Sequence, residues 1–252
     1  PFVDLWQPLH APAIAWLHEQ IGSSSRDGGI APAAMTQLAD GLIQRLCSIG
    51  EQVLWSCFRS ERTPGTMLLA HLGAAGDGSG PPVREHYEAF VQRHRRDGLQ
   101  SLLLEFPELG RLLGTVIELW LQASADMLER VSSDRLELES KFGIPSHLCL
   151  EGVKQGLSDP HRGGRAVAIL SFGLADEEDS KWKVVYKPKD MRLDAIYQAV
   201  LRDLNQRSDL APLRMLEIHC GQGYGYMEYV SHQLCVNEQE LEKFYFNSGR
   251  LT

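Results

Sequence analysis

In the stretch LSDPHRGGRAVAILSFG, Leu157 to Gly173, a carboxylate and an imidazole stand two residues apart at Asp159 and His161. The glycine pair Gly163 and Gly164 follows at once, and then an apolar run. Carboxylate and imidazole are side chains that general acid–base chemistry commonly uses. The glycines admit close backbone approach to an anion, and Arg162 or Arg165 beside them can add positive charge. Lys187 closes a second apolar run, KWKVVYKP. A lysine that points from a strand into a cleft is how kinase-type phosphoryl-transfer enzymes hold nucleotide phosphates. Each feature also has a plain structural reading: aspartate before proline is a turn or cap residue, paired glycines make a turn, and a strand-end lysine snorkels to water. Asp-x-His without a third placed ligand is not a metal site, so no residue is assigned to a metal.

The elements that must position these residues fall into two regimes. Met35, Leu38, Leu42, Leu46, Ile49, Val53 and Cys57 recur at three- and four-residue steps, the stripe of a long amphipathic helix. A second stripe runs through Leu109, Leu113, Val116, Trp120, Met127 and Val131 after a helix-starting Pro107, and ends before Gly143. A shorter helix is predicted from Arg84 to Gly98. The glycine- and serine-rich stretches Gly22 to Gly29 and Gly73 to Pro82 read as mobile loops.

After about Leu150 the period changes. Arg165–Phe172 and Lys181–Pro188 read as two strands joined through the acidic turn LADEEDS. A helix then carries Leu193, Ile196, Val200 and Leu204 on one face, with Asp194 early in it as a candidate partner for Lys187. Strands are predicted at Leu213–Cys220 and Tyr224–Val230, with Tyr229 opening a connector. Asn237 caps a last helix, with Glu240 as its capping-box partner. The expected fold class is α+β: a helical region over 1–150, a mostly antiparallel sheet with one helix over 151–236, and the start of a further helix over 237–252.

Composition narrows the partners. The chain has 252 residues, 43% of them hydrophobic, enough for a substantial core. A net charge of -8 gives no general attraction to nucleic acid or to an anionic membrane, and neither is expected as a partner. The five cysteines are odd in number, scattered and nowhere in a CxxC pair. That fits reduced thiols in a reducing cytoplasm and supplies no zinc site.

Strand, strand, helix, strand, strand, with a lysine closing the second strand, is the order of a kinase small lobe. DPHRGG falls where the segment over the phosphates belongs, and MEYVSH falls at the adenine hinge. The segments SDPHRGGRAVAILSFG, KVVYKPKDMRLDAIYQAVLRDLN and GYGYMEYVSHQLCVNEQELEKFYFNSGRL together resemble the dehydratase domain of class II lanthipeptide synthetases, from about Ser158 to Leu251. The resemblance implies a lipid-kinase-like fold in a bacterial cytoplasmic enzyme. Such an enzyme uses ATP and Mg2+ to phosphorylate Ser and Thr of a leader-bearing precursor peptide, then eliminates phosphate to leave dehydroamino acids. It carries the family's Asp-x-His motif onto Asp159 and His161 and its strand lysine onto Lys187. It also implies nucleotide contacts from Lys187, Gly163 and Gly164, with adenine bracketed by backbone groups of Glu228 and Val230. The family's catalytic loop and magnesium carboxylates, which lie in a second lobe, have no counterpart before Thr252. The chain is therefore expected to be an N-terminal piece of a longer synthetase, inactive alone. The alternative is a non-catalytic leader-binding or regulatory module on the same scaffold.

Overall fold

A computed structural model of the chain describes residues 1–22, 29–61, 82–160, 163–174, 182–207 and 212–250. Apart from Gly22, Gly29 and Pro82, the two expected loops lie outside the described residues. So do His161, Arg162 and most of the acidic turn. Two compact units are present: Pro1–Ser132 with Pro160–Arg165, and Ser133–Asp159 with Ala166–Thr252.

The first unit is helical. Its helices are α1 (Gln7–Ile21), α2 (Pro32–Ser60), α3 (Pro82–Arg93), α4 (Leu99–Glu105) and α5 (Pro107–Ser133), with a π-helical turn, His94–Gly98, between α3 and α4. α2 buries Met35, Leu38, Leu42 and Leu46 as its period predicts, and then Gly50, Leu54 and Phe58 in place of Ile49, Val53 and Cys57. A strict four-residue step drifts around a helix of 3.6 residues per turn, so the buried face winds about α2. What it winds toward is aromatic. The Trp6 ring lies where a Cβ on Gly50 would fall, 2.1 Å from the added carbon. Phe58 stacks edge-on to Tyr87 and Phe90, which α3 supplies. α5 starts at Pro107 and buries Leu109, Leu113, Trp120, Met127 and Val131.

Among the described residues the second unit is a five-stranded antiparallel sheet with three helices. The strands are β1 (Cys149–Lys154), β2 (Ala168–Gly173), β3 (Trp182–Lys187), β4 (Ile218–Cys220) and β5 (Gly225–Glu228), in the spatial order β1-β2-β3-β5-β4. The helices are α6 (Arg135–Phe142), α7 (Arg192–Arg207) and α8 (Glu238–Arg250). The unit begins at Ser133, ahead of the expected change at 150, because α6 packs with the sheet. Arg135 at the start of α6 donates to the Ser146 carbonyl at 2.9 Å and to the Leu148 carbonyl, and its guanidinium lies 5.1 Å from the Phe172 ring centre. Alternation selects the core of β2 and β3: Ala168, Leu170, Phe172, Val184 and Tyr186 are buried. β1, absent from the sequence expectation, breaks this alternation. Its register on β2 shifts between Leu150 and Gly152, so that Leu150, Glu151 and Val153 are all buried. Beyond the sheet, Asn237 caps α8 as expected, accepting from the Glu240 amide at 2.9 Å, while the Glu240 carboxylate reaches back to the Val236 amide, also at 2.9 Å.

α7 is turned inside out. Its predicted stripe forms one face, and that face meets solvent: Leu193 is 76% exposed and Ile196 60%, with Val200 and Leu204 exposed too. The opposite face buries Leu201 and carries the polar Gln198 and Asn205. Gln198 Oε1 accepts from the Leu216 amide at 2.9 Å, and Asn205 bonds both the amide and the carbonyl of Leu213 at 2.8 Å. These amides hold the stretch leading into β4, so the strand predicted from Leu213 pairs with the sheet only from Ile218. Among the described residues no helix is long and apolar enough to cross a membrane.

Candidate functional site

Lys187 is the last residue of β3, in register with Gly225 of β5. Pro188 follows it and cannot extend the ladder, so the chain leaves the sheet and enters α7 four residues later at Arg192. The first turn of α7 carries Asp194, back toward the strand end. The Lys187 ammonium lies 3.9 Å from Asp194 Oδ1, and each side chain is 22% exposed. Gly225 makes room for this corner: a Cβ there would lie 2.4 Å from the His219 carbonyl oxygen and 2.6 Å from Met191 Cγ. Burial pushes the Lys187 ammonium below the ordinary lysine range, with Asp194 pulling it up and Lys189 pushing it down.

Lys189, which sequence reasoning passed over, is the closer partner of Asp194, at 3.0 Å from Oδ2. The repeat of lysine two residues on in YKPKD, across a proline that turns the chain, was the available signal. Asp190 does not join them. It closes on Arg192, accepting from the backbone amide at 2.9 Å and from the guanidinium, which holds its carboxyl down at about 2. Partial desolvation raises the pKa of the Cys220 thiol, Asp190 and Asp194 add to the rise, and Arg192 opposes it. Two ammoniums thus share one carboxylate at the strand end, a positively charged corner suited to an anion.

Asp159 is exposed and belongs to the sheet unit. Ser158 Oγ holds the turn around it, accepting from the Val167 amide at 3.1 Å and donating to the Asp159 carbonyl at 3.4 Å. Among the described residues the Asp159 carboxylate makes no ion pair. Gly163 and Gly164 belong to the helical unit and have φ of 81° and 79°, a region where L side chains are strained. Gly164 sits against α5, where a Cβ would fall 2.9 Å from that of Leu119, and the next residue, Arg165, is paired with Asp126. Packing and backbone conformation thus both require glycine at 164, whereas at 163 the requirement is the positive φ. Lys187, Asp194 and Lys189 are the predicted and newly found residues that stand together.

At the expected hinge, Glu228 ends β5 and its amide donates to the Glu217 carbonyl at 2.9 Å. The Glu228 carboxylate pairs with Arg214. Tyr229 follows the strand, with the Lys183 ammonium 5.4 Å from its ring centre, and Val230 is exposed. Tyr224 and Tyr226 are packing residues: their rings meet each other and Tyr186, and both hydroxyls donate to Asp134 Oδ2, at 2.7 and 3.1 Å.

At the strand end two ammonium groups face one carboxylate. Among the described residues no group of three or more His, Cys, Asp or Glu side chains could hold a metal ion. Residues 106–252 match the family model described as a domain of unknown function, DUF4135. No match was found among curated proteins.

Proposed function

From the premise that the chain belongs to the DUF4135 family of domains of unknown function, we propose that its sheet unit is the phosphate-holding small lobe of a class II lanthipeptide synthetase dehydratase. Such an enzyme phosphorylates Ser and Thr of a leader-bearing precursor peptide and then eliminates the phosphate. One observation carries the reading: a half-buried lysine at a strand end faces a carboxylate from the first turn of the next helix, the arrangement in which phosphoryl-transfer enzymes hold their phosphate-binding lysine. The order of two strands, helix and two strands around it is consistent with that assignment.

ATP, the proposed co-substrate, supplies the phosphoryl group. The chemistry asked of this chain is modest. A Ser hydroxyl is a poor leaving group and phosphate a good one, so elimination needs removal of the α-proton and neutralisation of the departing charge. Lys187 serves both half-reactions by stabilising phosphate oxygens. Asp159 and His161 are assigned to positioning the hydroxyl or phosphate, or to moving the proton. The family resemblance would put Gly163 and Gly164 in the segment over the phosphates; they belong to the helical unit, and the sheet-unit reading does not rest on them. With the Glu228 amide committed within the sheet, its share of adenine recognition falls to its carbonyl, beside the backbone of Val230.

The test joins this segment to a lobe bearing the magnesium-binding carboxylates and follows a precursor peptide by mass spectrometry, where phosphate adds mass and dehydration removes water. Lys187→Ala loses dehydration, on the order of 2.7–4 kcal/mol of transition-state stabilisation. Asp159→Ala and His161→Ala accumulate phosphopeptide. Fully dehydrated peptide at the wild-type rate from all three variants refutes the assignment. The outward apolar face of α7 favours a second reading, a non-catalytic leader-binding module. Leader binding that ignores both nucleotide and Lys187→Ala would select it.

A further inference from the structure

We infer that Lys189 is a positioning residue for the phosphate site: it takes the Asp194 carboxylate for itself and so keeps the Lys187 ammonium loosely paired and available to a phosphate oxygen. The inference rests on the phosphate-binding reading of Lys187 and adds a regulator of that site.

The geometry is unequal. Lys189 Nζ lies 3.0 Å from Asp194 Oδ2 and 3.4 Å from Oδ1, whereas Lys187 Nζ lies 3.9 Å from Oδ1. The first is a charge-assisted hydrogen bond; the second is an ion pair without one. The two lysines also differ in setting. Lys189 is 55% exposed and keeps most of its hydration, while Lys187 is 22% exposed and has exchanged much of its own for protein. A desolvated ammonium with no hydrogen-bonded counter-ion has the most to gain from an incoming anion.

The remaining charges around the corner do not alter this. Asp190 and Arg192 neutralise each other through a closed fork, and the Cys220 thiol, its pKa raised, is uncharged at neutral pH. Two lysines against one carboxylate leave one positive charge in surplus. Were Lys189 absent, Asp194 would need to close about 1 Å to hydrogen-bond Lys187, and a phosphate would then have to break that bond to reach the ammonium.

The test reads the Lys187 ammonium directly in this chain, by NMR titration of isotope-labelled lysines, in four proteins: wild type, Lys189→Met, Asp194→Asn and the double variant. Lys189→Met raises the Lys187 pKa, because Asp194 then pairs with Lys187 and the like charge is gone. In the Asp194→Asn background the same change raises it clearly less, because only like-charge repulsion is then removed. Equal shifts in the two backgrounds overturn the inference and make Lys189 a mere neighbouring charge.

ATP titration gives the second readout. Lys189→Met weakens binding about tenfold, and Lys189→Arg restores it. Weakened ATP binding with an unmoved Lys187 titration also overturns the inference, since Lys189 would then be a direct ligand. If ATP binding is undetectable in the wild type or untouched by Lys187→Met, the phosphate reading fails. The hold of Lys189 on Asp194 is then decided by the titrations alone.

Discussion

The attachment of α6 to β5 rests on one carboxylate that serves two phenols, and its removal is worth following in detail. Tyr226 is fully buried, and its hydroxyl and that of Tyr224 both end on Asp134 Oδ2. A hydrogen bond to a charged group contributes about 1.5–3 kcal/mol, and a buried donor left unpaired costs about 1–3 kcal/mol. Tyr226→Phe removes one bond and leaves no orphan, since Asp134 keeps Tyr224. The expected cost is about 1.5–2 kcal/mol. Asp134→Ala strands the Tyr226 hydroxyl in the core, while half-buried Tyr224 turns to water, for a total of about 2–4 kcal/mol. In the Asp134→Ala background, Tyr226→Phe should then be neutral or slightly stabilising, because it deletes the stranded hydroxyl. The predicted coupling is about 2 kcal/mol. Native-state hydrogen exchange at the β5 amides Tyr226 and Met227 reads the sheet unit specifically. Additive costs from the two changes would refute the shared-carboxylate account.

The same pair fixes a pH dependence. Burial first, then the charge and hydrogen bond of Asp134, push the Tyr226 hydroxyl far above the ordinary tyrosine range. A pKa raised in the folded state means that the folded chain holds its proton longer than the unfolded one. The stabilisation is therefore intact below about pH 10, the unfolded tyrosine value, and is lost as the pH climbs above it. Tyr226→Phe flattens that alkaline decline.

Three further outcomes are expected. Gly164→Ala combines a left-handed backbone with contact against Leu119 and costs about 2–4 kcal/mol, whereas Gly163→Ala, with only the end of the Arg165 side chain to displace, costs about 1–2 kcal/mol; urea denaturation yielding equal costs would remove the Leu119 contact as a cause. Gly50→Ala drives a methyl into the Trp6 ring and lowers the stability of the helical unit by at least about 1–3 kcal/mol, with a change in tryptophan emission. Asp190 titrates at about 2 in a carboxyl NMR experiment, and Arg192→Ala returns it toward the ordinary range of aspartate.

Period and punctuation made much of this fold legible. Pro107 opens α5 because proline at a first helical turn gives up an amide that had no partner anyway. The short β-branched apolar runs on either side of an acidic turn located β2 and β3 to within a few residues, and Asn237 marked the start of α8. Lys187 at a strand end and Asp194 in the following helix were both readable, because each position follows from chain order alone. β1 was not readable. The bulge at Glu151 breaks the two-residue period from which a strand is recognised.

The sequence by itself determined which residues lie on one face of an element, since that depends only on backbone period. It showed that α7 carries Leu193, Ile196, Val200 and Leu204 together, and that α2 carries an apolar stripe. Which way a face points was decided by the tertiary structure. On α7 the amides leading into β4 need partners, Gln198 and Asn205 supply them, and the side carrying these two residues therefore turns inward. On α2 the Trp6 ring needs the space that only Gly50 leaves, which draws the buried face off its predicted line. Lys189 shows the same division. Its charge was plain in the sequence, but its closer claim on Asp194 is a matter of 0.9 Å between two ion-pair distances, 3.0 and 3.9 Å. Distances of that kind are set by how strand, turn and helix pack, and no local pattern records them.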